Sequence, residues 1–445
     1  MRTLLSDCTA LLMDEEETVL KNAFVVVEGT KITYVGTECP AGTFEEKIDG
    51  RGKVLIPGLV NAHTHIPMTL MRGYGGGCDL QTWLTKYIFP AEEKLDSRAV
   101  RAGAALALAE LIAAGVTCIA DMYMFCDDIA QEVVKAGLSA NIARGATLFT
   151  PDFDAETHPA LQDTRRLAEK WHGYGDGQIL IDACVHGEYT SRAPLWRAMA
   201  ELARDKNLGM HVHISETKAE HEDCLRRHGK TPVKILEESG VWDVRAIAAH
   251  CVWVSEEDRA VMAEKGVSAV HNPASNLKLG SGVADLPALF RAGVNTALGT
   301  DGVSSNNSHD MFGEMKLAAL LQTGIRRDPL AISPMEVLQM ATVNGAKALG
   351  RKTGRIAAGY TADLILVDFD RPALMPCHSV PDNLVYSARG SDVVMNMARG
   401  TVIYQRGEFR TLDLEKIRAE VRNYALPLIF GTRPINFAEP EEYYP

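Results

Sequence analysis

The chain has 445 residues, is 46% hydrophobic and 23% charged, and carries a formal charge of −12 at pH 7. That length suits one large domain with a small companion, and the acidic balance argues against the basic surface that nucleic acid or an anionic membrane requires. The nine scattered cysteines include no Cys-x-x-Cys pair, which argues against a cysteine–zinc site or a disulfide framework and for free thiols in a reducing cytoplasm. Met1 to Ser6 runs straight into strand-like sequence with no apolar leader core. The most apolar stretch, 102–120, is broken by Gly103, Glu110 and Gly115, so it reads as a helix followed by a strand and not as a membrane span. A cytoplasmic protein without a membrane partner is expected.

Residues 1–55 alternate short β-rich runs with turns, as in Phe24-Val25-Val26-Val27 before Glu28-Gly29. From 56 to 355 the pattern becomes strand, then helix, repeated. Strands are predicted at 58–63, 116–122, 141–147, 179–185, 208–214, 246–251, 267–271 and 294–299, with helices such as 97–114, 192–206, 255–265 and 310–323 between them. Eight such units predict an α/β fold, a (β/α)8 TIM-type barrel. An open doubly wound sheet is the alternative, but no Gly-rich phosphate fingerprint follows the first strand. The β-rich style returns over 356–412, as in Ala362 to Asp368, so both chain ends are expected to build one small β-sandwich side domain. Residues 413–445 read as a helix over 413–424 and a surface tail from Pro434.

The predicted strand ends carry the chemistry. His63 and His65 close the first barrel strand at a spacing of two, which puts both imidazoles on one side of an extended chain. His211 and His213 repeat the pattern on the fifth strand and lead to Glu216, His250 ends the sixth, and Asp301 ends the eighth. Barrel enzymes place their chemistry at these ends. Imidazoles with one carboxylate suit zinc, with iron as the alternative. His213 is favoured over His211, because it lies nearer the strand end and three residues before Glu216. His211 would sit one layer deeper as a core histidine, and His271 is given a supporting role. His158, His172, His221, His228 and His378 stand in polar contexts and are expected to be solvated. Hydrolysis through a metal also needs a base and an acid, and Asp301 and Glu216 are the natural pair. In Ser215-Glu216-Thr217, the competing reading for Glu216 is a helix cap.

Read together, these segments resemble the amidohydrolase superfamily and, within it, the methylthioadenosine/S-adenosylhomocysteine deaminase group. The matching motifs are His63-Thr64-His65-Ile66-Pro67-Met68, His213-Ile214-Ser215-Glu216-Thr217, Ala249-His250-Cys251-Val252, His271-Asn272-Pro273-Ala274-Ser275-Asn276 and Gly299-Thr300-Asp301-Gly302-Val303. The resemblance spans nearly the whole chain, including Gly359-Tyr360-Thr361-Ala362-Asp363-Leu364. It implies one metal held by His63, His65, His213 and Asp301, with Glu216 and His250 flanking the attacking water and the ring. The fourth strand has no lysine, in agreement with a single metal. The implied reaction is hydrolytic deamination at C6 of an adenine nucleoside, with Asp301 taking the water proton, Glu216 protonating N1 and His250 steadying the attacking oxygen.

The resemblance also assigns Trp83 to the nucleoside, Glu92 to the ribose hydroxyls, His186 to the base and Arg144 to a substrate carboxylate. Relatives are often dimers or tetramers. Three departures bear on the substrate. The loop Gly75-Gly76-Gly77-Cys78-Asp79 is poor in acids and mobile by composition. Glu188 stands before Tyr189, where a proline is common. Residues 151–163 hold no arginine to assist Arg144. An unassisted buried carboxylate is costly, which tilts the reading from S-adenosylhomocysteine toward methylthioadenosine, adenosine or 5′-deoxyadenosine. Two rivals remain: the same site acting on a guanine, pterin or triazine ring, and, more remotely, a metal-free scaffold.

Overall fold

A computed structural model describes residues 2–431; the predicted tail from Pro434 lies outside the described residues. The N-terminal segment forms β1 (Arg2–Leu11), β2 (Val19–Glu28), β3 (Lys31–Gly36), β4 (Glu46–Asp49) and β5 (Lys53–Pro57). An eight-stranded sheet follows: β6 (Leu59–Thr64), β7 (Val116–Tyr123), β8 (Ser139–Arg144), β9 (Ile179–Gly187), β10 (Gly209–Ile214), β11 (Ala246–His250), β12 (Ser268–His271) and β13 (Thr296–Leu298). Its strands lie side by side in chain order, and every pairing is parallel. The chain then adds β14 (Leu364–Asp368), β15 (Val393–Ala398), β16 (Thr401–Gln405) and β17 (Glu408–Phe409) to the first sheet, where β14 pairs antiparallel with β5.

The barrel strands are buried throughout because helices cover the outside and side chains fill the inside; all eight residues of β7 are buried. The covering helices show why their sequences fold this way. Over Ala193–Asp205 the buried residues are Leu195, Trp196, Met199, Ala200, Leu202 and Ala203, a stripe at helical spacing. Asp96 caps helix Ser97–Ala113 by accepting from the Ala99 N–H, which satisfies a donor that the helix leaves open.

The barrel is nearly closed at the β13–β6 seam, and side chains do much of the closing. The Asn61 amide donates to Thr300 Oγ1 at 2.7 Å and accepts from the Thr300 N–H at 3.0 Å. Just above, the Asp301 N–H donates to the His63 carbonyl at 3.0 Å.

The side domain is one nine-stranded mixed sheet folded over its own core, in which Leu5, Val25 and Ile32 from the N-terminal strands meet Leu364, Met395 and Val402 from the C-terminal ones. Both chain ends are needed to bury that face, as the sequence predicts. All eight predicted barrel strands are present, with no end displaced by more than three residues. The largest shift is at β8, where the ladder ends on the Gly145 N–H to Tyr123 C=O bond. The predicted helix at 413–424 begins at Leu414 and continues through a wider turn, Val421–Ala425, to Phe430. Among the described residues, no helix is long and apolar enough to cross a membrane.

Candidate active site

His63 and His65 come from the end of β6, His213 from β10, His250 from the last position of β11, and Asp301 from just beyond β13. Ser215, His250, Cys251 and Asp301 all have positive φ, between 46° and 74°. Such backbone costs free energy for residues with a Cβ and persists where the surroundings over-determine it, as at functional sites. The strained turns aim the side chains at one point. The ring of His63 lies 4.8 Å from that of His65, 4.9 Å from that of His213 and 5.5 Å from that of His250. Nitrogens from His63, His65 and His213 lie within 4.8 Å of one another, as do ligand atoms of His63, His250 and Asp301.

Each imidazole is held from behind. His65 Nδ1 lies 2.5 Å from the Met122 carbonyl and His213 Nδ1 lies 2.6 Å from the His186 carbonyl. A carbonyl only accepts, so both Nδ1 atoms carry hydrogen and both Nε2 atoms face the common point. His63 Nδ1 bonds His211 Nε2 at 2.8 Å, and His250 Nδ1 bonds Asn276 Oδ1 at 2.8 Å. Gly299 lets β13 press against this framework: a Cβ there would lie 2.8 Å from both the N and the O of His63.

Asp301 Oδ2 accepts from Ser275 Oγ at 2.6 Å and Ser305 Oγ at 3.0 Å. Its Oδ1 faces His65 Nε2 at 3.1 Å and His63 Nε2 at 3.4 Å. Burial opposes the charge of Asp301, but His63 and His65 outweigh it and hold the carboxyl well below its ordinary range. Burial also opposes the proton of His65, yet the bond to Asp301 holds that ring up to about 9. Burial pushes His63 down to about 3 and His213 well below its ordinary value. His63 Nε2 is buried and makes no hydrogen bond even with Asp301 Oδ1 close by. The lone pairs of neutral His63 and His213 beside the Asp301 oxygen repel unless a positive charge lies among them, which the proton on His65 supplies in part and a metal ion would supply in full, and three nitrogens with one oxygen are a donor set that zinc accepts.

Glu216 is not a helix cap. Thr217 caps helix Lys218–His228, and Glu220 accepts from the Ser215, Glu216 and Thr217 N–H groups. The Glu216 carboxyl is thereby free to enter the cavity, with Oε1 accepting from Ser281 Oγ at 3.2 Å and Oε2 lying 3.7 Å from His250 Nε2. Burial raises its pKa.

His65, His213, Glu216, His250 and Asp301 line one wall of a cavity of about 390 Å³, with His63 just behind them, and Trp83, Glu92, Tyr123, Arg144, His186 and Tyr189 also line it. Every residue singled out in the sequence as a ligand, an acid or base, or a substrate contact thus lies at this site. Burial raises Glu92, against the Tyr123 hydroxyl beside it, and lowers His186 to about 4. His211 is fully buried behind His63, as expected. His271 is also fully buried but makes no hydrogen bond, so it orients no ligand through one. In the loop after Arg72, Gly75 serves close packing as well as freedom: a Cβ there, at positive φ, would lie 2.7 Å from Tyr87 Cγ, while Gly76 and Gly77 face open space.

The expected solvation of three histidines is corrected: part-buried, His158 Nε2 bonds the Thr147 carbonyl at 3.2 Å, His172 Nδ1 accepts from the Ile181 N–H at 3.1 Å, and His221 Nδ1 bonds Ser215 Oγ at 3.1 Å. His228 is exposed as expected, although its Nε2 faces Glu188 Oε1 at 3.1 Å. Polar neighbours in sequence did not reveal these partners, most of which come from other segments. His378 is exposed. The sequence also gave no role to Ser275, Asn276, Ser281 or Ser305. Two of these lie inside the His271 to Asn276 motif, which was the available signal.

The amidohydrolase family model matches residues 54–403. The 5-methylthioadenosine/S-adenosylhomocysteine deaminase of Thermoanaerobacter pseudethanolicus is 40% identical over 432 residues, which cover 96% of this chain and 100% of that protein. The 5′-deoxyadenosine deaminase of Methanosarcina mazei is 41% identical over 426 residues, 96% of this chain and 98% of that one. The crystal structure of an adenosine deaminase from Xanthomonas campestris with bound zinc superposes with a TM-score of 0.90 at 31% identity, covering 96% of this chain and 98% of the other. The chain belongs to the amidohydrolase family.

Proposed function

We propose that this protein is a metal-dependent hydrolytic deaminase of adenine nucleosides. The observation that carries the reading is one cavity that joins the convergence of His63, His65, His213 and Asp301 to the buried carboxyls of Glu216 and Glu92. The deaminase names of relatives about 40% identical over nearly full length support it. His63, His65, His213 and Asp301 would hold one divalent ion, zinc first and iron as the alternative. When bound, such an ion supplies Lewis acidity that brings the pKa of water to about 7.

The protein's own groups manage the protons. Burial raises Glu216 above the ordinary carboxyl range, which favours the acid form that donates to ring N1 as water adds at C6. Asp301 takes one water proton and passes it to the departing amine, the remaining hydroxyl proton returns to Glu216 as the C6 carbonyl forms, and adenine nucleoside and water thus give the inosine analogue and ammonia. His250, fixed through Asn276, presents Nε2 to the attacking oxygen. Glu92 accepts the ribose hydroxyls, Trp83 packs the nucleoside, and His186 contacts the base. Arg144 faces the 5′ end as the only arginine among the described residues lining the cavity. One arginine favours a small neutral 5′ group: methylthioadenosine, adenosine or 5′-deoxyadenosine ahead of S-adenosylhomocysteine. The working form is a cytoplasmic homo-oligomer, a dimer or tetramer, to which the exposed Leu320, Ile325 and Leu330 offer apolar surface.

The test is incubation of the zinc-loaded protein with these four nucleosides and with adenine, following ammonia release. Turnover of nucleosides with adenine inert is expected, since Glu92 has no purpose for a bare base. No ammonia from any of them, with metal bound, would overturn the reading and direct attention to guanine, pterin and triazine rings.

A further inference from the structure

Arg144 is the last residue of β8 and reaches the cavity wall, with its side chain 22% exposed. Two of its donors are already engaged. Its Nη1 donates to the Gly145 carbonyl, and its Nε lies 3.4 Å from Asp163 Oδ2. Asp163 is not part of the cavity wall. It stands behind Arg144 on helix Pro159–Trp171, where its other oxygen accepts from Arg166 Nη2 at 3.3 Å. A guanidinium held this way presents its remaining edge to the cavity with much of its charge already offset from behind. The wall also carries the carboxyls of Glu92, Glu93, Glu216 and Asp301, of which burial shifts Glu92 and Glu216 toward the neutral form, and the rest of it is largely apolar. A ligand carboxylate entering here must give up water for one part-neutralised cation, whereas an uncharged group does not meet that cost.

We propose that Asp163 is a positioning residue that, by holding and part-neutralising Arg144, turns this site toward adenine nucleosides whose 5′ substituent lacks a carboxylate. The inference rests on the deaminase reading above and adds to it the residue that sets the preference. The probes are a carboxyethylthio-adenosine and its carboxamide, which differ at the 5′ end only in charge. The readout is the ratio of kcat/KM for the acid to that for the amide. Asp163→Asn should raise the ratio about fivefold, the value of roughly 1 kcal/mol for a partly exposed pair, and the change should appear in KM for the acid. Asp163→Glu should restore the native ratio. Arg166→Ala, which leaves Asp163 wholly to Arg144, should lower it. A ratio unmoved in Asp163→Asn and Arg166→Ala, or acid and amide changing alike, overturns the role of Asp163 while the deaminase reading stands. Failure of the native enzyme on both probes, with methylthioadenosine turned over, overturns this inference alone; failure on methylthioadenosine and the other nucleosides as well overturns that reading with it.

Discussion

The proton donor proposed for ring N1 needs a pKa above the ordinary carboxyl value, and burial raises Glu216, with the Asp301 charge adding to the effect and His250 and Ser281 opposing it. Glu216→Gln preserves shape and one acceptor but cannot pass a proton. Its kcat should fall by roughly 10²–10⁴, with metal content unchanged by elemental analysis; equal loss of metal would make Glu216 a structural group instead. At this scale the sequence was legible where a side chain does the work. Paired histidines two apart, a histidine and an aspartate at strand ends, and Glu216 all stand out. The groups that orient them did not. His65 and His213 are fixed by backbone carbonyls, of Met122 and His186, and every residue has a carbonyl.

Between elements, the loop after β9 is fastened to helix Lys218–His228 by an ion pair. Glu188, 0% exposed at its side chain, is met by Arg227 at 2.6 and 2.8 Å, while Arg227 is 39% exposed. The loop carries Tyr189, and His186 stands just before it; both line the cavity. The asymmetry of exposure sets the expected costs. Arg227→Ala leaves a fully buried carboxylate with His228 as its remaining partner and should destabilise by on the order of 3 kcal/mol. Glu188→Gln leaves a cation that rehydrates and should cost about 1 kcal/mol. Urea unfolding of the two variants decides the point, and equal costs would contradict it.

A second clasp joins helices Cys126–Ala136 and Pro159–Trp171. Burial opposes the charge of Asp127, but Lys170, Arg166 and Trp171 hold its carboxyl down to about 2 from 3.8. A depressed acid stabilises the fold fully above its unfolded value and loses that contribution as pH falls through its folded one. After allowance for solvent screening, the contribution is about 1 kcal/mol. Asp127→Asn should lower stability by that amount at pH 7 and converge with the native protein near pH 2; a gap that persists in acid would show that packing was lost, not charge. The helices themselves were legible from periodicity and caps. These clasps were not, because their partners lie 39 or more residues apart.

For the whole molecule, three strand ends of a nearly closed barrel, those of β6, β10 and β13, must stay in register for the proposed ligand atoms of His63, His65, His213 and Asp301 to stay together, so metal binding and folding would be coupled. A ligand that binds only the folded state stabilises it by mass action. Chelation should therefore lower Tm by roughly 5 °C, and zinc should restore it. An unchanged Tm, with no metal found in the purified protein, would instead fit the scaffold alternative.

What the sequence determined by itself was the repeating strand–helix order, the pairing of the two chain ends into one side domain, and the residues at the strand ends, because periodicity and side-chain chemistry are local properties written along the chain. Only the tertiary structure decided that Asn61 closes the seam, that Glu216 rather than a cap faces the cavity, and that Asp163 stands behind Arg144. These are meetings of distant segments, and a chain records what each segment carries but not which segment closure will set beside it.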